Sequence, residues 1–304
     1  MLFALAGCAP AATTASTSLS ASASPTASDS AASIHMPDST ADMTHSIGLT
    51  GVSNARDIGG YKTTDGKTVK AGMLIRTGAL GGATDADKKI LTDTYNVKII
   101  IDLRCDSEIA QSPELTLPGV ENLHFPVLQD TTSSSSASPS PSINPEQIDI
   151  LVTNDISAAN TAYGSMVTND FSINAYKQIF DTILSSHDGA IFYHCVGGKD
   201  RTGVVSMLIL SAIGVDRQTV EADYMLTNDF MKSTIDAKVA GLAAKGVDQA
   251  TQDNVKLLLG TDLEWANTVF DTIDTSYGSM DNYLQEKLGL TPEKIAQLKQ
   301  MYLQ

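Results

Sequence analysis

The sequence predicts an α/β fold: a mostly parallel central sheet flanked by helices, with a helical C-terminal portion. Two patterns predict the sheet. Short runs rich in β-branched residues, Val97–Arg104 (VKIIIDLR), Asn122–Val127 (NLHFPV) and Gly189–Cys195 (GAIFYHC), read as strands. They alternate with stretches of helical period at Asp85–Tyr95, Ile173–Ser186 and Arg201–Gly214. Such alternation implies parallel pairing with helices on both faces. A third observation sets the C-terminal portion: from Asp216 onward every patterned stretch is helical.

Composition narrows the function. The chain has 304 residues, 42% of them hydrophobic, enough for a substantial core. Its 35 carboxylates against 20 Lys plus Arg give a net charge of -15, which argues against a nucleic-acid binder that neutralises phosphates. The cysteines Cys8, Cys105 and Cys195 lack metal-ligand spacing and the five histidines form no cluster, so no structural metal is expected.

Along the chain, residues 1–8 (MLFALAGC) end in Leu5-Ala6-Gly7-Cys8 and resemble a bacterial lipobox. Residues 9–45 are Ala/Ser/Thr/Pro-rich without Lys or Arg, the composition of a disordered tether. No segment reaches the roughly 18 apolar residues of a spanning helix. The expectation is an extracytoplasmic protein, membrane-anchored through Cys8 or secreted. Residues 46–304 read as one domain, interrupted by a low-complexity surface insertion at 131–142 (TTSSSSASPSPS). The last helix has a well-formed start, with Thr291 as N-cap, Pro292 at the first helical position and Glu293 in the first turn.

The chemistry concentrates in Tyr193–Val204, YHCVGGKDRTGV. Ligands of parallel sheets bind outside the carboxyl ends of the strands, where GAIFYHC delivers Cys195. Val196-Gly197-Gly198-Lys199-Asp200 must then turn into the helix that follows, and the glycines permit positive φ. Converging N–H groups in such a turn, with the helix N-terminus, form a nest for a tetrahedral oxyanion. The same field favours thiolate over thiol at Cys195. Arg201, six residues on, brings a planar fork suited to two phosphoryl oxygens.

HCVGGKDRTG matches the H-C-x5-R-[ST]-G loop of cysteine-dependent phosphatases. Together with NARDIGGY (Asn54–Tyr61), LIRTGAL (Leu74–Leu80), IIDLR (Ile100–Arg104), YMLTN (Tyr224–Asn228) and the closing stretch Tyr277–Leu303, the chain resembles the bacterial tyrosine-protein phosphatase family from about Ile47 to Leu303. The resemblance implies metal-independent, cofactor-free hydrolysis of phosphate monoesters through a phosphocysteine. The implied substrates are phosphotyrosine proteins, with phosphoserine/threonine proteins and phosphoinositides in reach, and the implied state is a monomer.

Carried over residue by residue, Cys195 attacks phosphorus, Arg201 binds its oxygens, and Thr202 donates its hydroxyl to the departing sulfur. Val196, Gly197, Gly198 and Lys199 line the phosphate, and Lys199 adds charge at the pocket rim. His194 fixes the loop, while Arg56 and Asp57 buttress it, Gly59 and Gly60 turn the chain, and Arg76 serves as Arg56 does. For the general acid the resemblance points to Asp200, whose bland role is an ion pair with Lys199 or Arg201. Asp130, after HFPVLQ, is the alternative. Cys105 is expected to be a passive small residue, with a reversible disulfide to Cys195 as its alternative. Two other readings of the chain are a catalytically idle surface lipoprotein that binds phosphorylated ligands, and an arsenate reductase. The latter needs relay cysteines, and only Cys105 is at hand.

Overall fold

Five short strands build the sheet: β1 (Arg56–Asp57), β2 (Leu74–Thr77), β3 (Ile99–Asp102), β4 (Glu121–His124) and β5 (Ile191–His194). Their order is β1-β2-β5-β3-β4, with β1 antiparallel to β2 and every other pair parallel. The computed structural model describes residues 45–130, 157–185 and 188–304. Cys8, the tether up to residue 44 and the insertion 131–142 lie outside the described residues.

β5 is central and buried at all four residues. Its neighbours are in register at the carboxyl end, with Thr77 of β2 and Asp102 of β3 both opposite His194. The loops that follow these three strands therefore leave from one edge. β4 ends sooner than the pattern NLHFPV predicts. Phe125 still donates to Asp102 O, but Pro126 has no N–H to continue the ladder.

Period-2 alternation sorts side chains between two cores. Ile101, Ile191 and Tyr193 enter the large cluster, and Ile100, Ile75 and Phe192 the smaller one. After α1 (Asp85–Lys89) and α2 (Asp106–Gln111) come α3 (Ser157–Thr168), α4 (Asp170–Ser185) and α5 (Asp200–Ile213). α5 is buried almost throughout, its Val204–Ile213 run filling the large core, and Gly214 ends it with φ 95. The remainder is helical as expected: α6 (Arg217–Met225), α7 (Thr227–Phe230), α8 (Lys232–Ala244), α9 (Gln249–Leu259), α10 (Leu263–Tyr277) and α11 (Pro292–Tyr302). Thr291 caps α11 through Lys294 N with Pro292 in the first turn, as the sequence predicts. Among the described residues no helix is long and apolar enough to cross a membrane.

Candidate active site

β5 hands the chain to Cys195, which is 1% exposed, and α5 opens five residues later at Asp200. The loop between them is held from outside by its carbonyls. Ala79 N donates to Val196 O at 2.9 Å, Asn54 Nδ2 to Gly197 O at 3.2 Å and Gly198 O at 2.8 Å, and Arg76 Nη2 to Gly198 O at 2.9 Å. A trans peptide points its N–H opposite its C=O, so the amides of the next residues face the loop interior. Glycine is required at 198: φ is +61°, and a Cβ would lie 2.4 Å from Thr77 O. At Gly203 a Cβ would meet the Tyr224 ring at 2.9 Å, so that glycine lets α6 approach α5.

Behind the loop sits a buried charge cluster. Arg56 Nε and Arg76 Nη1 bind opposite oxygens of Asp223 at 3.1 and 2.6 Å, and all three side chains are at most 1% exposed. Tyr61 OH donates to the same carboxylate at 3.1 Å. Burial works against the Asp223 charge, but the two arginines and the Tyr61 hydroxyl outweigh it and lower the pKa to about 2. Arg56 and Arg76 thus buttress the loop, Arg56 through Asn54 and Arg76 directly. Asp57 does not. Its carboxylate binds Gly59 N at 2.7 Å and Gly72 N at 2.6 Å, so it closes the β1–β2 turn instead.

Arg201, on the first turn of α5, is fully buried and forked by Glu108 of α2, at 2.5 Å through Nη1 and 2.9 Å through Nη2. Burial opposes its charge, yet Glu108, Cys195 and Asp200 prevail and raise its pKa. Glu108 is likewise held well below the carboxylate range, with burial overcome by Arg201. Arg201 Nε and the Thr202 hydroxyl remain buried with no partner among the described residues. Leaving a buried donor unmet costs about 1–3 kcal/mol, so both have a hydrogen bond to offer a ligand.

His194 fixes the loop from the other side. Its Nδ1 is 3.0 Å from Cys195 O and its Nε2 is 2.6 Å from Glu114 Oε2. Asp102, Glu114 and His194 are close enough to hold a metal. However, the Arg104 guanidinium already binds Asp102 Oδ2 at 2.7 Å and Glu114 Oε2 at 3.2 Å, so these residues fit an ion-pair cluster and not a metal centre.

Asp200 is 5% exposed and its Oδ1 accepts the Tyr163 hydroxyl. Lys199 is not on the rim. It is 5% exposed, donates to Leu258 O at 2.6 Å, and lies 5.3 Å over the Trp265 ring and 3.6 Å from Asp200 Oδ1. Asp130 is exposed, bound by Ser107 N and its hydroxyl at the start of α2, and the Ser107 hydroxyl lowers its pKa. Cys105 donates its S–H to Glu108 Oε2 at 3.0 Å, and burial, joined by Glu108 and Asp130, pushes its thiol up to about 11. So little thiolate favours the passive role over a disulfide with Cys195.

Sequence reading missed Glu108, Asp223, Asn54, Glu114 and Tyr163. Asn54 was inside NARDIGGY and Asp223 stood directly before YMLTN, yet neither sits at a spacing that announces its partner.

The Cys195 thiol, the loop amides, Arg201 and Thr202 thus stand within one loop-and-helix segment, residues 195–202, of the kind that receives a tetrahedral oxyanion. That combination defines the class of cysteine-dependent phosphatases. The family comparison agrees: the tyrosine phosphatase family model matches residues 47–304, and the chain belongs to that family. It is accordingly a phosphoric monoester hydrolase. Similar proteins include one named as a tyrosine-protein phosphatase in Cupriavidus necator, 29% identical over 85% of this chain and 89% of that protein. The triple specificity protein phosphatase PtpB of Mycobacterium tuberculosis is 27% identical over 78% of this chain and 92% of its own length. A tyrosine-protein phosphatase of Nostoc commune is 27% identical over 76% and 74%. A solved structure of P. aeruginosa TpbA in complex with pTyr covers 64% of this chain and 89% of its own at 15% identity, with a TM-score of 0.25, too low to bear on the fold.

Proposed function

We propose that the enzyme dephosphorylates tyrosine side chains of proteins, with Cys195 as nucleophile and Asp200 as proton donor. The sulfur attacks phosphorus, the S–P bond forms, and the P–O bond to tyrosine breaks as the phenolic oxygen takes the Asp200 proton. The loop amides and Arg201 hold the three non-bridging oxygens as their charge grows. In the second step Asp200 takes a proton from water, whose oxygen attacks phosphorus. The S–P bond then breaks, with the Thr202 hydroxyl hydrogen-bonded to the departing sulfur.

The observation that carries this reading is the pair of buried, unpartnered donors, Arg201 Nε and Thr202 Oγ1, on the helix turn beside Cys195. Asp200 is preferred to Asp130 because it opens α5 within the same loop, whereas Asp130 is held at the N-terminus of α2. Phosphoinositides are a second substrate class for the same pocket. The Lys199 ammonium suits their extra phosphates, but it must first leave Leu258 O.

The test is a side-by-side assay of phosphotyrosyl and phosphoseryl/threonyl peptides and phosphoinositides. Phosphotyrosine is expected to give the highest kcat/KM, and turnover of none would leave only the idle-binder reading. We further propose that the protein works outside the cytoplasm, tethered by lipid on Cys8, a reading that rests on the Leu5–Cys8 motif. Cys8→Ser is expected to shift full-length protein from the membrane to the soluble fraction, and unchanged partition would refute the anchor.

A further inference from the structure

The hydroxyl on Asp200 belongs to a residue that the reaction scheme leaves unused. Tyr163, from α3, is 3% exposed, and its hydroxyl donates to Asp200 Oδ1. It also lies 2.6 Å from the hydroxyl of Tyr224 on α6, which is 0% exposed. The ring is held on two sides: it stacks on Trp265 of α10 at 5.5 Å with an interplanar angle of 18°, and meets Tyr224 edge-on at 6.2 Å. Three helices thus aim one hydroxyl at one carboxylate oxygen.

We propose that Tyr163, with Tyr224 behind it, is the positioning residue of the Asp200 proton donor, occupying Oδ1 so that the transferable proton sits on Oδ2. This deepens the reading of Asp200 as general acid and rests on it. A carboxylic acid has two inequivalent oxygens, and an acid that must protonate a leaving group works only if the protonated one faces that group. The tyrosine bond and the Lys199 contact both fall on Oδ1. Burial, followed by Asp200 itself, raises the Tyr163 pKa well above the ordinary phenol value, so the phenol stays a donor through the working pH range. Tyr163 keeps its own proton throughout: the proton delivered to the leaving oxygen is that of Asp200, and water restores it.

The charged and titratable groups facing Asp200 are Lys199 beside it, Arg201 after it, Tyr163 from α3 and Tyr224 from α6. Removing the Tyr163 hydroxyl frees the Asp200 carboxyl to rotate, so that its proton no longer faces the leaving oxygen in one fixed orientation.

The experiment compares wild type, Tyr163→Phe, Asp200→Asn and the double variant on phenyl phosphate and p-nitrophenyl phosphate. Tyr163→Phe keeps the ring stacked on Trp265. It is expected to lower kcat on phenyl phosphate about tenfold with little change on p-nitrophenyl phosphate. On the Asp200→Asn background it is expected to add nothing. Tyr224→Phe, which keeps the Tyr163–Asp200 bond, is expected to lower kcat on phenyl phosphate selectively but by less, and serves if the first variant folds poorly. Equal slowing of both substrates by Tyr163→Phe, or losses that multiply with Asp200→Asn, would overturn the positioning role alone. If Asp200→Asn itself slows both substrates equally, the general-acid reading falls and the role of Tyr163 falls with it.

Discussion

Cys195→Ser is expected to lower kcat by at least about four orders of magnitude while leaving inorganic phosphate binding largely in place. The exchange removes one polarisable atom, and a serine hydroxyl is a far weaker nucleophile than a thiolate. The rest of the site does not depend on that atom. The loop carbonyls are fixed by Asn54, Arg76 and Ala79, and Arg201 is oriented by Glu108. The donors that grip phosphate are thus set by groups other than the Cys195 side chain. Phosphate release measures the first half of the prediction and titration calorimetry with phosphate the second. Turnover within tenfold of wild type would remove Cys195 from the mechanism.

Asp223→Ala is expected to cost roughly 3–5 kcal/mol of stability, the penalty for stripping a buried carboxylate from its partners. Here the loss leaves two arginines, Arg56 and Arg76, buried and uncompensated. For a domain of this size that is a melting-point drop on the order of 10 °C. Activity is expected to fall as well, because Arg76 loses the anchor that aims it at Gly198 O. The same residue sets an acid limb. Its folded pKa of about 2 lies below the ordinary 3.8, so its stabilisation is complete above about pH 4 and is lost as pH falls towards 2. The amount is on the order of 2 kcal/mol. Asp87, whose burial is outweighed by N–H bonds from Thr50, Thr84 and Gly51, is lowered to about 2 and contributes in the same window. Denaturant titrations at pH 6, 4 and 3 are therefore expected to show a steeper loss in wild type than in Asp223→Asn. Parallel slopes would show that Asp223 is not the group titrating.

What the residues disclosed unaided was whatever is written locally. β3 and β5 were legible because their apolar residues are contiguous, α11 because Thr291 and Pro292 are neighbours, and α5 because its apolar residues recur at helical period. The nucleophile, the anion nest and the arginine were legible for the same reason, since all of them fall between positions 195 and 202. β2 was not: LIRT carries an arginine into the core, and no local pattern says that Arg76 will find a carboxylate 147 residues away. Lys199 reads as a rim cation until Leu258 and Trp265 enclose it, and Asp57 reads as a loop buttress until Gly59 and Gly72 claim it.

Glu108 lies 93 residues from Arg201, Asp223 lies 167 from Arg56, and Tyr163 lies 37 from Asp200. Sequence fixes the chemical identity of such groups but not their partners. A buried charge or hydroxyl is tolerable only beside its complement, and which complement arrives is decided by how β2, β3 and β5 align at one edge and which helices close over it. The reactive loop was thus specified by the order of residues, and the preorganisation of its cation, its buttress and its acid by the packing of the chain.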